Sequence, residues 1–235
     1  MKKNGNKKRI SIKDKLINSV KGLTFKEYLR NTIDFLKNNI LKKAYIMLAI
    51  SLIIATALLT NPQVSEAELV NVKFLGDYVE KLKSIVVIVV SGIVPYLYAP
   101  ILGIIFTIFT ECIFMANLIL EAGYIQGILT YILPFILNIG AMSIATALGV
   151  YICRNKTLDS KIDNMKYTSA IDLRISIYEA ANRKDKKNKL EMQKKEKIEN
   201  LKKKRQELDL FQIINITAIV CVMQILASIT KSLVI

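Results

Sequence analysis

Four stretches of this chain are nearly free of charge, and that blocking constrains the fold more than any other feature. They run from Ala44 to Ser65, Ser84 to Leu120, Ala122 to Cys153 and Leu210 to Thr230, and only Glu111 interrupts them. A soluble core scatters apolar residues at helix or strand period. Here they are blocked, and strongly basic segments separate the blocks. Inside a bilayer every backbone N–H and C=O must be bonded within the chain, so such blocks fold as helices. The expected fold is all-α: a polytopic integral membrane helical bundle. Composition agrees, with 52% hydrophobic residues and a mean hydropathy of +0.35.

Loop charge sets the number of crossings. The second block has 37 residues, while a span needs roughly 20. Residues 1–43 hold 13 basic and 3 acidic side chains, residues 60–83 hold 3 and 4, and residues 154–209 hold 17 and 10. Positive segments stay in the cytoplasm, so 1–43 and 154–209 are expected inside and 60–83 outside. That requires three crossings between residues 84 and 153, expected at 84–100, 102–121 and 128–152. With spans at 44–59 and 210–230 the total is five. The N-terminus is then cytoplasmic, the C-terminus extracytoplasmic and the location the plasma membrane. The expected organisation is a basic segment at 1–43, a four-span region at 44–153, a basic helical linker at 154–209 and a fifth helix within 210–235. The basic run before residue 44 is too long for the n-region of a secretory signal.

Much chemistry is excluded. The chain has no histidine, which removes Ser-His-Asp, Cys-His and His-metal centres. Its three cysteines, Cys112, Cys153 and Cys221, sit in apolar runs and read as small core residues. The apolar blocks hold no cluster of titratable groups, so no catalytic residue, cofactor or metal is expected.

The basic segments carry their own patterns. Ile12, Leu16, Val20, Leu23, Leu29, Ile33, Leu36 and Ile40 recur at helical spacing. With Lys and Arg on the other face, residues 1–43 suit anionic lipids of the inner leaflet. Because the membrane accounts for the charge, no nucleic acid is expected as a partner. In the linker, residues 159–182 are amphipathic and 183–209 almost wholly polar, a pattern expected to give a cytoplasmic helical hairpin.

Within the blocks, Glu111 is the conspicuous residue. A lone carboxylate at mid-membrane is costly, roughly 2.5–3.5 kcal/mol on insertion scales. The expectation is a neutral packing Glu bonded to Thr107, Thr110 or another span, with proton or ion handling as the functional alternative. Pro95, Pro100 and Pro134 interrupt spans. The Ile93–Leu97 segment echoes Ile132–Ile136 around its proline, a pattern that can mark transporter halves, with packing kinks the simpler reading. Gly140, Ala141, Ser143, Ala145, Ala147 and Gly149 make a small-residue face for close helix contact. Asn138, Asn117 and Asn215 can add interhelical hydrogen bonds.

The order of these features resembles the stage II sporulation protein M family. The resemblance rests on Glu80-Lys81-Leu82-Lys83, then Gly92, Pro100 and Gly103, then Gly123-Tyr124-Ile125-Gln126-Gly127. Ile132-Leu133-Pro134, Ala145-Thr146-Ala147-Leu148-Gly149 and a final span ending in Ile225-Leu226-Ala227-Ser228-Ile229 complete it. The chain departs from the family in a shorter external loop, a longer linker, and Glu111-Cys112 where the family tends to have Asn-Gly. The resemblance implies a non-enzymatic scaffold that anchors other membrane proteins, among them the peptidoglycan hydrolases of the engulfment machinery in sporulating bacteria. The alternative is a small transporter or channel subunit, which should show clustered buried polar groups and a repeat.

Overall fold

The computed structural model describes residues 25–59, 74–167, 170–205 and 209–234. Among these there are eight α-helices, one π-helical turn and no strand. Helix α1, Phe25–Phe35, passes through the π turn Leu36–Leu41 into α2, Lys42–Leu59. Helix α3 spans Phe74–Ser91, α4 Pro100–Ala122, α5 Tyr124–Tyr167, α6 Ala170–Ala180, α7 Lys184–Lys204 and α8 Leu210–Val234. Four stretches, Leu29–Leu59, Pro100–Ala122, Tyr124–Ala180 and Leu210–Leu233, are long and apolar enough to cross a membrane. The chain is thus an all-α bundle with the helices of a membrane protein. Residues 1–24 of the basic segment and 60–73 of the expected external loop lie outside the described residues.

The expected second span takes a different course. Its helix begins at Phe74 and ends at Ser91, not at 84–100. Residues 92–99 then form turns, with Tyr96 at φ 69° and Tyr98 at φ 46°. Pro95 falls in this turn, and Pro100 opens α4 at a position where its missing N–H breaks no helical bond. Asp77, Glu80, Lys81 and Lys83, assigned to a loop by their charge, therefore lie on a helix packed against α4, α5 and α8.

Five helices alternate in direction between two ends of the bundle. At one end, Phe35 meets Tyr151 edge to face at 5.4 Å, the Tyr96 N–H donates to Thr157 Oγ1 at 2.9 Å, and Asn215 Nδ2 donates to Thr32 Oγ1 at 3.3 Å. Toward the other end, Lys231 meets Asp77, and Gly127 presses on the backbone of Leu118 and Ile119. A positive φ of 84° at Gly123 makes the reversal from α4 to α5.

Helix α5 is the hub, touching α2, α3, α4, α7 and α8. Its small-residue face explains why. Ala141, Ser143, Ala145 and Ala147 are all buried. At Gly149 an added Cβ would stand 2.7 Å from the Pro100 ring and 2.8 Å from the Ile88 carbonyl, so α3 and α4 approach α5 as closely as backbones allow. Gly140 has no such neighbour, its added Cβ meeting only the Met223 side-chain tip at 3.7 Å. The face foreseen for helix contact is consumed within this chain.

Beyond the bundle, α5 continues to Tyr167, and α6 and α7 form an antiparallel hairpin. Asn182, at φ 54°, closes its tip. Lys194 bonds Asp172 at 2.5 and 2.7 Å, Lys187 bonds Glu179 at 2.5 Å, and Arg205 pairs with Asp159 at 2.6 Å. Helix α7 buries no residue.

Candidate functional site

Four helices bring polar side chains together inside the apolar bundle. Helix α3 carries Asp77 and Lys81, four residues apart and so on one face. Helix α4 supplies Glu111, α5 supplies Tyr131 and Asn138, and α8 supplies Gln224, Ser228 and Lys231. The α8 spacings of four and three keep its trio on one stripe.

The charges pair one to one. Lys81 is ion-paired with Glu111 Oε1, and Tyr131 donates its hydroxyl to Glu111 Oε2 at 2.5 Å. Lys231 lies 3.3 Å from Asp77 Oδ1, while Ser228 donates to Asp77 Oδ2 at 2.7 Å. The side-chain exposures are 14% and 4% for Lys81 and Glu111, and 9% and 8% for Lys231 and Asp77, so both pairs are withdrawn from their surroundings. Tyr131 joins them. Its hydroxyl binds one pair, and its ring centroid lies 5.9 Å from the Lys231 ammonium of the other. The same ammonium sits 4.2 Å from the Phe114 ring centre, within reach of a cation–π attraction that strengthens on desolvation. Two turns along α5 and α8, Gln224 Nε2 donates to Asn138 Oδ1 at 2.9 Å. Asn138 Nδ2 and Gln224 Oε1 have no partner among the described residues.

Of the partners expected for Glu111, another span supplies one, the Tyr131 hydroxyl on α5. Glu111 does not bond Thr107 or Thr110, whose hydroxyls donate to the carbonyls of Gly103 and Thr107. Nor is it the sole buried charge. The Lys81 ammonium faces the Glu111 carboxylate across the α3–α4 contact. Two carboxylates and two ammonium groups cancel. Breaking a buried pair of this kind costs about 3–5 kcal/mol, because the remaining charge is stranded, whereas replacing both members with apolar residues is often neutral.

The other foreseen residues are scattered. Asn138 joins the network through Gln224. Pro134 is buried inside α5, where it removes one helical N–H. Pro95, Pro100 and Gly149 lie at the opposite end, around the 92–99 turn. The proline echo has no structural counterpart, because Ile93–Leu97 is a turn and Ile132–Ile136 is helical. Asp77, Lys81, Tyr131, Gln224 and Lys231 were missed. The signal was available: Asp77 and Lys81 stand at i,i+4, and Gln224, Ser228 and Lys231 share one stripe.

Outside the bundle, a hydrogen bond from Lys187 to Glu179 holds the lysine ammonium above its usual range. Among the described residues no group of three His, Cys, Asp or Glu gathers in a way that could hold a metal. No family model, curated protein or solved structure matches this chain.

Proposed function

We propose that the chain is a non-enzymatic scaffold of the plasma membrane, one that assembles other membrane proteins. One observation carries this reading: the buried charges are matched one to one, Lys81 with Glu111 and Lys231 with Asp77. Pairing of this kind favours a lock between helices over a solute site, which needs groups left free to change partners. In this reading α3 makes a true crossing, giving five spans, with the α6–α7 hairpin and the N-terminal segment on the cytoplasmic side. The basic segment 1–43 then lies against anionic lipid, and the exposed face of the hairpin serves as the docking surface. The resemblance to the stage II sporulation protein M family points to peptidoglycan hydrolases of an engulfment complex as the assembled partners.

Crosslinking and affinity capture from native membranes test this directly. The expected result is recovery of membrane-bound cell-wall hydrolases. Recovery of the chain alone, together with solute flux in proteoliposomes, would refute it.

A second reading, a small transporter or channel subunit, draws on the network itself. The buried polar cluster, with two amide atoms of Asn138 and Gln224 unpartnered, meets one of the two criteria set for that class. The repeat, the other criterion, is not supported by the conformations of the two proline segments.

A further inference from the structure

Among the described bundle helices, α3 is the one that carries too many charges to count as a candidate membrane span. Its 18 residues include Asp77, Glu80, Lys81 and Lys83. Only Ser84–Ser91 is free of charge, about 12 Å of helix against a hydrocarbon core of about 30 Å. Yet Lys81 meets Glu111, which lies eleven residues into the 23-residue helix α4, near its middle. The first half of α3 is therefore drawn to a depth where an isolated Asp and Lys are not tolerated. Glu80 and Lys83, on its other side, are exposed.

We infer that α3 is a conditional membrane helix, one that takes its place only when α4 and α8 supply counter-charges to Lys81 and Asp77. Glu111 belongs to the next helix, so its contribution comes soon after α3 is made. Lys231 is separated from Asp77 by 154 positions and by the whole basic linker. Until α8 is present, the only cation on the face of Asp77 is Lys81, which Glu111 engages, and α3 stays at the membrane surface. Crossing parity then depends on α8. With α3 outside the bilayer, α4 and α5 enter in the opposite sense and the linker is delivered to the far side. One ion pair thereby couples the last helix to the side on which the hairpin resides. The inference goes beyond the scaffold reading and holds equally for a transporter, but it rests on the five-crossing topology.

The test places a reporter cysteine at exposed Asn188 of α7, in the full chain with Cys112, Cys153 and Cys221 replaced by alanine. Labelling by a membrane-impermeant maleimide is read on intact cells. The parent should be protected. Asp77→Lys and Lys231→Glu alone should each become labelled severalfold over the parent. The exchanged double variant Asp77→Lys/Lys231→Glu should be protected again, as should Asp77→Leu/Lys231→Leu, which removes the charges in place of pairing them. Chains translated in vitro into membrane vesicles report the same topology before cellular degradation can remove unstable variants. Protection of both single variants overturns the inference, and so do double variants labelled as strongly as the singles. A labelled parent overturns the five-crossing topology itself, which is a separate failure.

Discussion

The bundle interior and the α6–α7 hairpin use the same residue types, Lys against Asp or Glu, to opposite energetic ends. In the hairpin, Glu179 and Asp172 keep 62% and 42% of their side-chain exposure while paired. Water screens such pairs, and they contribute little. In the interior, Glu111 and Asp77 keep 4% and 8%. There the attraction is unscreened, but so is the cost of desolvation, and each charge becomes dependent on its partner. Proximity of opposite charges is common to both regions. What separates them is whether a stranded charge has water to fall back on.

The strongest way to break this contrast is to reverse one buried charge. Glu111→Lys places a second ammonium against Lys81 and should cost at least the 3–5 kcal/mol of a broken buried pair. Membrane abundance should collapse, and the residual protein should unfold early in detergent. Normal abundance and an unshifted Tm would show that the interior tolerates charge as the hairpin does.

Neutralising Glu111 is a sharper probe. A lone Glu could be exchanged for Gln without consequence, but here Glu111→Gln strands Lys81. Abundance and Tm should fall, by about 3 kcal/mol of stability. Adding Lys81→Leu to Glu111→Leu removes both charges and should recover most of that loss. The recovered double variant then separates the two functions. A scaffold retains activity in a complementation assay, whereas a proton- or ion-coupled transporter accumulates normally and stays inactive.

Legibility in the sequence followed the same divide. Hydropathy read α2, α4, α5 and α8 well because each carries an apolar run long enough to cross a membrane. The hairpin was readable from the switch between the amphipathic segment around Ile171–Tyr178 and the polar run after Arg183. Helix α3 was misplaced by ten residues because charge was taken as a sign of water. Asp77 and Lys81 are compensated by groups 154 and 30 positions away, and a window along the chain cannot see such partners. Glu111 was found for its isolation, yet its meaning lay in Lys81 and Tyr131, which only the packed bundle brings near.

Packing gives an intermediate effect. At Gly149 the neighbours are the Pro100 ring and the backbone carbonyl of Ile88, neither of which can yield easily. Gly149→Leu should cost about 1–3 kcal/mol or more from overpacking, while Gly140→Ala, facing only a flexible Met223 tip, should leave Tm unchanged. Equal effects at both positions would mean that the close approach of α3 and α4 to α5 does not hold.

The smallest effects belong to the hairpin. Glu199→Ala removes an exposed i,i+4 partner of Lys203, seen at 3.2 Å, and should cost only about 0.3–0.5 kcal/mol. Removing the hairpin altogether is the more informative test, and the geometry dictates how. Helix α7 returns about 31 Å along its 21 residues. Deleting α7 alone would leave eight residues between Ala180 and Leu210, nine steps that reach about 30 Å only when fully extended, with no slack. That join would pull on α8. Deleting residues 170–204 instead brings the end of α5 to Arg205, already placed beside Asp159 on α5. Because α6 and α7 have no buried residue, this variant should insert, accumulate and melt like the full chain. Under the scaffold reading it should fail to capture cytoplasmic-side partners. If it is lost from the membrane, the hairpin has a structural share in the bundle, and the division between a self-paired interior and a solvated, partner-facing hairpin is wrong.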